Sequence, residues 1–297
     1  MSFSKNVKKE LAQIKPDNQC CLCAQTYGLL LFGRSFSANS IKLLSESVDA
    51  AKSYHEFSMD FTGIEPIFLT TKSGKNSVTF NSKNDRWLVL NSFGHSEKEV
   101  TLRINRANFE DDCCYGSFIR GAFLSCGTIS DPNKNYHLEF VVQKEKLCKD
   151  LKTLMQDVEL NPKVLKRGNN FVIYFKDSEE IEDVLTIMGA TESSLDLMGI
   201  KMMKSVRNKI NRQINFETAN ISRTINASML QIKAINKIKE RKAFNTLPLQ
   251  LKKIAEIRLN NPDMSLGDIQ KELDEDISRS GVNHRLNKLI EIADKLK

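Results

Sequence analysis

Apolar residues recur along this chain with two periods, one helical and one alternating, and the switches between them outline a series of elements. Phe3, Val7, Leu11 and Ile14 mark one face of a short helix over Ser4 to Ile14 that is stopped at Pro16. An almost wholly apolar helix follows over Cys21 to Phe32, then extended stretches around Ser35 to Leu44 and an amphipathic helix from about Asp49 to Phe61. Ile64 to Thr71 and Asn76 to Asn81 predict a hairpin across Ser73-Gly74, and Asp85 to Phe93 a helix ended by Gly94.

The same order then returns. A helix from about Cys114 to Ser125 precedes strands at Thr128-Ile129 and Tyr136 to Gln143, and Lys144 to Val158 is a long amphipathic helix. Val164 to Lys166 and Phe171 to Lys176 form a hairpin across Gly168-Asn169, and Glu179 to Met188 closes the series before Gly189. Each half reads αββαββα, over about 20–94 and 113–189. Cys20-Cys21 stands before Gly28, and Cys113-Cys114 stands at the same offset before Gly121, 93 positions on. A glycine at equivalent sites of two equivalent helices lets their backbones approach closely across a pseudo-two-fold axis.

Beyond residue 199 the pattern is helical throughout. Ile210, Ile214, Ile221, Ile225 and Met229 recur every three to four places, with a break near Phe216 to Ala219 that predicts at least two helical pieces. After Leu247-Pro248 come three compact helices: Leu249 to Asn260, with Leu251, Ile254, Ala255 and Leu259 inward, then one capped by Ser265 and Asp268, then one capped by Ser278. The expected fold class is therefore α+β, a tandem-repeat domain over 1–199, a helical connector over 200–245, and an all-α helix-turn-helix domain over 246–297.

Charge changes the picture at the connector. Residues 1–199 carry 24 Lys and Arg against 26 Asp and Glu, residues 246–297 carry 9 against 9, but residues 200–245 carry 11 against 2. A polyanion would be held there. Arg207, Asn208, Arg212 and Arg223 are the candidate contacts, although a merely solvated charged face has the same composition. In the helix-turn-helix, Val282 and Leu286 face the core, which leaves Ser278, Arg279, Ser280, Asn283, His284 and Asn287 near or on the outward faces. Arg suits guanine and Asn adenine, while Ser, Arg285 or Lys288 can clamp phosphate. For His284 a base or phosphate contact and a capping or packing role at the turn both stay open. The acidic run Asp274 to Asp276 is expected to point away from DNA.

The longest apolar runs are far shorter than the roughly 20 residues of a membrane span, and the first residues lack the apolar core of a signal peptide, so a cytoplasmic, nucleoid-associated protein with no membrane partner is expected. Seven cysteines without an export signal are expected as reduced thiols. Cys20, Cys21 and Cys23 lack C-x2-C spacing and a nearby His, which favours buried core thiols over zinc ligands. No cofactor or metal is expected. One helix-turn-helix on one tandem repeat suggests a monomer.

The paired helices resemble the LAGLIDADG fold of homing endonucleases, in which two such helices cross at a central seam. That resemblance implies an acidic residue near the end of each helix to hold divalent cations, but the equivalent positions here are Gly33 and Cys126, and Asp131 lies past the turn. The degenerate pair, the stretch RGAFLSCGTISDPNKNYHLEF, the segment Arg207 to Asn226 and the ending SRSGVNHRL together resemble the WhiA family. The resemblance implies a bacterial transcription regulator linked to sporulation, cell division or chromosome segregation, binding double-stranded DNA through a helix-turn-helix similar to region 4 of sigma factors. Two alternatives stand beside it: a residual metal-dependent DNA endonuclease, and a docking scaffold acting on RNA polymerase or another regulator.

Overall fold

A computed structural model describes residues 2–16, 18–72, 74–273 and 275–296. Ser73, expected at the tip of the first hairpin, and Asp274 lie outside the described residues. The chain separates into two compact units, 1–204 and 205–297.

The first unit is built on two central helices, α2 (Gln19–Leu31) and α5 (Cys113–Cys126). Both are apolar on nearly every side, because each is surrounded by protein rather than lying on a surface. They touch through their glycines. A methyl group on Gly28 would collide with the Phe118 carbonyl oxygen and lie 3.0 Å from Ala122 N, while one on Gly121 would collide with the Gln25 carbonyl oxygen and lie 2.9 Å from Leu29 N. The contacts are reciprocal: residues 25, 28 and 29 meet 121, 118 and 122, each the counterpart of another at an offset of 93. The seam is thus the pseudo-two-fold axis that the repeat predicts. Before it runs α1 (Phe3–Gln13), which buries Val7 and Leu11 and packs on α5. Its Lys8 Nζ donates to the Leu124 carbonyl at 3.1 Å.

Each central helix leads into a four-stranded antiparallel sheet. In the first half, β1 (Ser35–Ser37), β2 (Ser40–Ser45), β3 (Ile67–Thr70) and β4 (Asn76–Thr79) lie in the order β1-β2-β4-β3. In the second, β5 (Gly127–Ile129), β6 (Leu138–Val142), β7 (Lys163–Arg167) and β8 (Asn170–Phe175) lie in the order β5-β6-β8-β7. The register puts one side of each sheet in the core: Leu43, Val78 and Phe68 stand abreast in the first, Phe140 opposite Ile173 and Leu138 opposite Phe175 in the second. All of these but the half-buried Phe68 are fully buried, and each such burial stabilises by about 1.5–3 kcal/mol. The helices α3 (Val48–Thr62) and α6 (Glu145–Asp157) bridge the two strand pairs of each half, and α4 (Lys83–Ser92) and α7 (Ser178–Met188) close them. The order αββαββα holds in both halves.

The basic segment departs from its sequence reading. It is not two helical pieces: a single helix, α8 (Thr191–Glu240), runs through Phe216 to Ala219 without interruption. The lapse there is in the apolar stripe, not in the backbone. Gln213 Nε2 donates to Glu217 Oε1 at 3.0 Å across one turn, and Glu217 and Ala219 are good helix formers.

In the second unit, Ala234, Ile235 and Ile238 of α8 enter the same core as Leu251, Ile254 and Ala255 of α9 (Leu249–Asn260), Ile269 and Leu273 near α10 (Leu266–Glu272), and Val282, Leu286, Leu289 and Ala293 of α11 (Arg279–Lys295). Ser228 Oγ also donates to the Pro262 carbonyl. Helix α10 starts in a full capping box, Ser265 accepting from Asp268 N and Asp268 accepting from Ser265 N. Leu259, expected inward, is only half-buried; its neighbour Arg258 is the buried residue, donating to the carbonyls of Met264 (2.7 Å) and Pro262 (3.2 Å) and so fastening the α9–α10 turn.

Candidate nucleic-acid interface

Helix α11 presents the most regular polar surface. Ser278 caps it, accepting from Gly281 N at 3.2 Å, and its hydroxyl lies 2.8 Å from that of Ser280. With Val282, Leu286, Leu289 and Ala293 turned to α9 and α10, the residues left outside are Arg279, Ser280, Asn283, His284, Asn287 and Lys288, all exposed together with Ser278. They fall at i, i+4 and i+8, so they form one continuous strip along the first three turns. From Ser278 to Lys288 there are three basic residues and no acid. The helix N-terminus adds positive potential at the same end. His284 is on the exposed strip rather than packed at the turn.

Arg285 is different. Expected as a phosphate clamp, it is half-buried, and its Nη1 donates to Glu275 Oε2 at 2.7 Å; Lys253 Nζ lies 3.7 Å from the other oxygen of the same carboxylate. The hydrogen bond from Arg285 holds the Glu275 carboxyl below its ordinary range. An acid in the preceding turn was visible in the sequence, but its pairing depends on how the turn folds back.

On α8, Arg207, Asn208, Arg212 and Arg223 are all exposed, and Arg212 Nε donates to the Asn208 carbonyl at 3.2 Å. The apolar residues of this segment are exposed as well, including Ile210, Ile214, Ile221 and Ile225. The segment therefore shows solvent a mixed surface, basic on some sides and aliphatic on another.

The sheets of the first unit offer nothing comparable. The outer face of the first carries Lys42, Leu44, Ile67, Leu69 and Thr79, with Ile67 and Leu69 exposed. In the second, Glu139 occupies the middle of the outer face, bound by Arg167 (Nη1 to Oε1, 3.1 Å) and 3.0 Å from His137 Nε2. At the ends of the seam helices, a side chain on Gly33 would come within 2.9 Å of the Lys42 carbonyl, and burial pushes the Cys126 thiol up to about 12. Asp131 accepts from Asn133 N at 2.9 Å and from its Nδ2 at 3.1 Å, which makes it a turn residue.

The other ends of the same helices hold four thiols. Cys20 and Cys21 open α2, Cys113 and Cys114 open α5, and all four Sγ atoms lie within 4.8 Å of one another. Cys21 Sγ and Cys113 Sγ are 3.2 Å apart. Cys113 is exposed, and Cys20 is half-buried rather than the buried core thiol that the sequence reading expected. The repeat places the two Cys-Cys pairs at equivalent positions, but their convergence depends on how the two helices cross.

Two pseudo-symmetric halves joined at a glycine-bearing helix pair, followed by a three-helix unit with a short turn between its second and third helices, define a LAGLIDADG-like domain with a C-terminal helix-turn-helix. The chain belongs to the WhiA family. A model of the WhiA LAGLIDADG-like domain matches residues 115–207 and one of the WhiA C-terminal HTH domain matches residues 210–293. The chain is 37% identical over 318 residues to "Probable cell division protein WhiA" of Thermoanaerobacter pseudethanolicus, covering 100% of this chain and 98% of that one. It is 34% identical over 316 residues to the protein of the same name from Alkaliphilus metalliredigens, covering 99% and 98%. The crystal structure of full-length DUF199/WhiA from Thermatoga maritima superposes with a TM-score of 0.60 at 24% identity, covering 100% of this chain and 99% of that chain, a likeness of fold. Among the described residues no helix is long and apolar enough to cross a membrane.

Proposed function

We propose that this protein is a sequence-specific DNA-binding transcription regulator in which α11 reads base edges and the basic part of α8 supplies salt-dependent affinity. The observation that carries the reading is the exposed strip on α11, which combines the residue types that pair with guanine and adenine edges with a lysine for phosphate and excludes acids. Asn283 and Arg279 are assigned to bases, Lys288 and Ser280 to phosphates, and His284 and Asn287 to the flank of the groove. Arg207, Asn208, Arg212 and Arg223 contact backbone phosphates, while Arg285 holds the turn. The names of the relatives connect this regulation to cell division, and the expected site of action is the nucleoid.

The two-repeat domain acts in this reading as a scaffold and cleaves nothing. Gly33 and Cys126 stand where metal-binding carboxylates would be needed, and neither is a ligand for a hard cation. A protein partner is the second role for this domain: the exposed Ile67 and Leu69 on a sheet face, in a region of near-balanced charge, suit a protein surface better than a phosphate backbone.

The test measures the affinity of the full chain for a selected site and for random DNA across salt concentrations. Lys288→Ala should weaken both by a similar factor and lower the slope of log K against log salt by about 1. A triple Arg207, Arg212 and Arg223 to Ala variant should lower it further. An unchanged slope in the triple variant would remove α8 from the interface. Plasmid incubated with the protein and Mg2+ should stay supercoiled; cutting that is lost in Cys126→Ala would restore the nuclease reading.

A further inference from the structure

We propose that Cys20, Cys21, Cys113 and Cys114 form a tetrathiolate site for a soft divalent metal, Zn2+, that ties the N-terminal ends of α2 and α5 together above the glycine seam. The four sulfurs already make a compact cluster, every pair within 4.8 Å. Tetrahedral zinc with Zn–S bonds of about 2.3 Å has sulfur–sulfur edges of about 3.8 Å, so an ion can be received by small side-chain shifts. Two ligands come from each repeat. The crossing of Gly28 against Gly121 sets the separation of the helix ends, so the site is a product of the pseudo-symmetry and not of one local motif.

Electrostatics around the cluster favours an anionic centre. Both cysteine pairs lie in the first turn of a helix, where peptide dipoles stabilise thiolates. Nearly two turns further along α5, Arg120 is buried, and its three hydrogen bonds go to neutral acceptors: Gln25 Oε1 at 2.8 Å, the Met188 carbonyl at 2.9 Å and Ser117 Oγ at 3.1 Å. Among the described residues it makes no ion pair. A buried guanidinium without a carboxylate is costly. Zinc bound by four thiolates carries two net negative charges and supplies the missing counter-charge. Ser117, one turn beyond Cys113 and Cys114 on α5, accepts from Arg120 and so orients the guanidinium. Binding exchanges four S–H protons for one Zn2+, releasing the protons to solvent with no change in oxidation state.

The experiment uses the full chain purified under reducing conditions. Metal analysis should find about one Zn2+ per chain, and chelation followed by Co2+ should give thiolate-to-cobalt charge-transfer bands with the intense visible bands of a tetrahedral sulfur site. Cys20→Ser and Cys113→Ser should lose the ion and the tetrathiolate spectrum, whereas Cys23→Ser, outside the quartet, should keep both. Ser117→Ala, which removes one of the three acceptors that orient Arg120, should weaken metal binding by about 10-fold, as loss of an outer-shell partner does. If the cysteine variants fail to fold, stripped wild-type protein decides by itself, since re-addition of Zn2+ should restore both one ion per chain and the melting temperature. The proposal is overturned if reduced, folded wild-type chain binds neither Zn2+ nor Co2+ stoichiometrically. It is overturned equally if the cobalt spectrum is octahedral, if Cys23→Ser abolishes the site as fully as Cys20→Ser, or if the isolated protein holds a Cys21–Cys113 disulfide and no metal.

Discussion

Asn283 and Arg285 are two residues apart on one helix, and sequence alone gives them similar standing. Burial separates them. Asn283 is exposed on the strip, while Arg285 is half-buried and bonded to Glu275, so the proposed function makes the first a reader and the second an internal brace. The difference has a pH signature. Glu275 is depressed by the hydrogen bond from Arg285, so its contribution to stability is full above the unfolded carboxylate value of about 4.3 and is lost as pH falls through the lower folded value. Arg285→Met should therefore lower stability modestly near neutral pH, as expected of a pair near the surface, leave it unchanged in acid, and so flatten the acid limb of the second unit's unfolding profile, followed by circular dichroism. A profile as steep as that of the unmodified chain would assign the acid sensitivity elsewhere. Arg258 makes the complementary point. Helical spacing assigned the core to its apolar neighbour Leu259, because periodicity has no means of foreseeing a cation that buries its stem and bonds the carbonyls of a turn.

At the scale of elements, nearly every helix and strand was legible, because the apolar period, the caps and the turn glycines agree with one another. Helix α8 was the exception. A lapse in the apolar stripe at Phe216 to Ala219 looked like a break, yet an exposed helix has no stripe to maintain and its continuity rests on local propensity and turn-to-turn pairs. The seam was legible in the opposite way, since glycines repeated at an offset of 93 announce a close crossing before any coordinates do. It makes a prediction in which sign matters. Gly to Ala inside an ordinary helix stabilises by about 0.5–1 kcal/mol. Gly28→Ala and Gly121→Ala should instead destabilise the first unit by about 1–3 kcal/mol or more, because each new methyl meets backbone atoms of the opposing helix that cannot turn aside. Thermal or urea unfolding measures this, and a stabilised variant of either kind would show that the helices do not cross as described.

For the whole molecule, the division of labour follows the distribution of charge. The repeat domain has a LAGLIDADG-like architecture, near-balanced charge, a sheet face with Glu139 at its centre and Gly33 and Cys126 at the seam ends. The basic excess and the exposed polar strip of α11 belong to the residues from about 200 onward. What the sequence withheld was relation between distant parts: which acid Arg285 meets, and that two Cys-Cys pairs converge into one cluster. Selection of binding sites from a random DNA library, performed in parallel with the full chain and its Asn283→Ala variant, tests the central assignment most directly. The unmodified chain should enrich one defined site, and the variant should lose about 1–3 kcal/mol of discrimination, or roughly 5-fold to 150-fold, at one base position while retaining its affinity for random DNA. Enrichment of the same site with the same discrimination by both proteins would contradict the assignment of α11 as the reader.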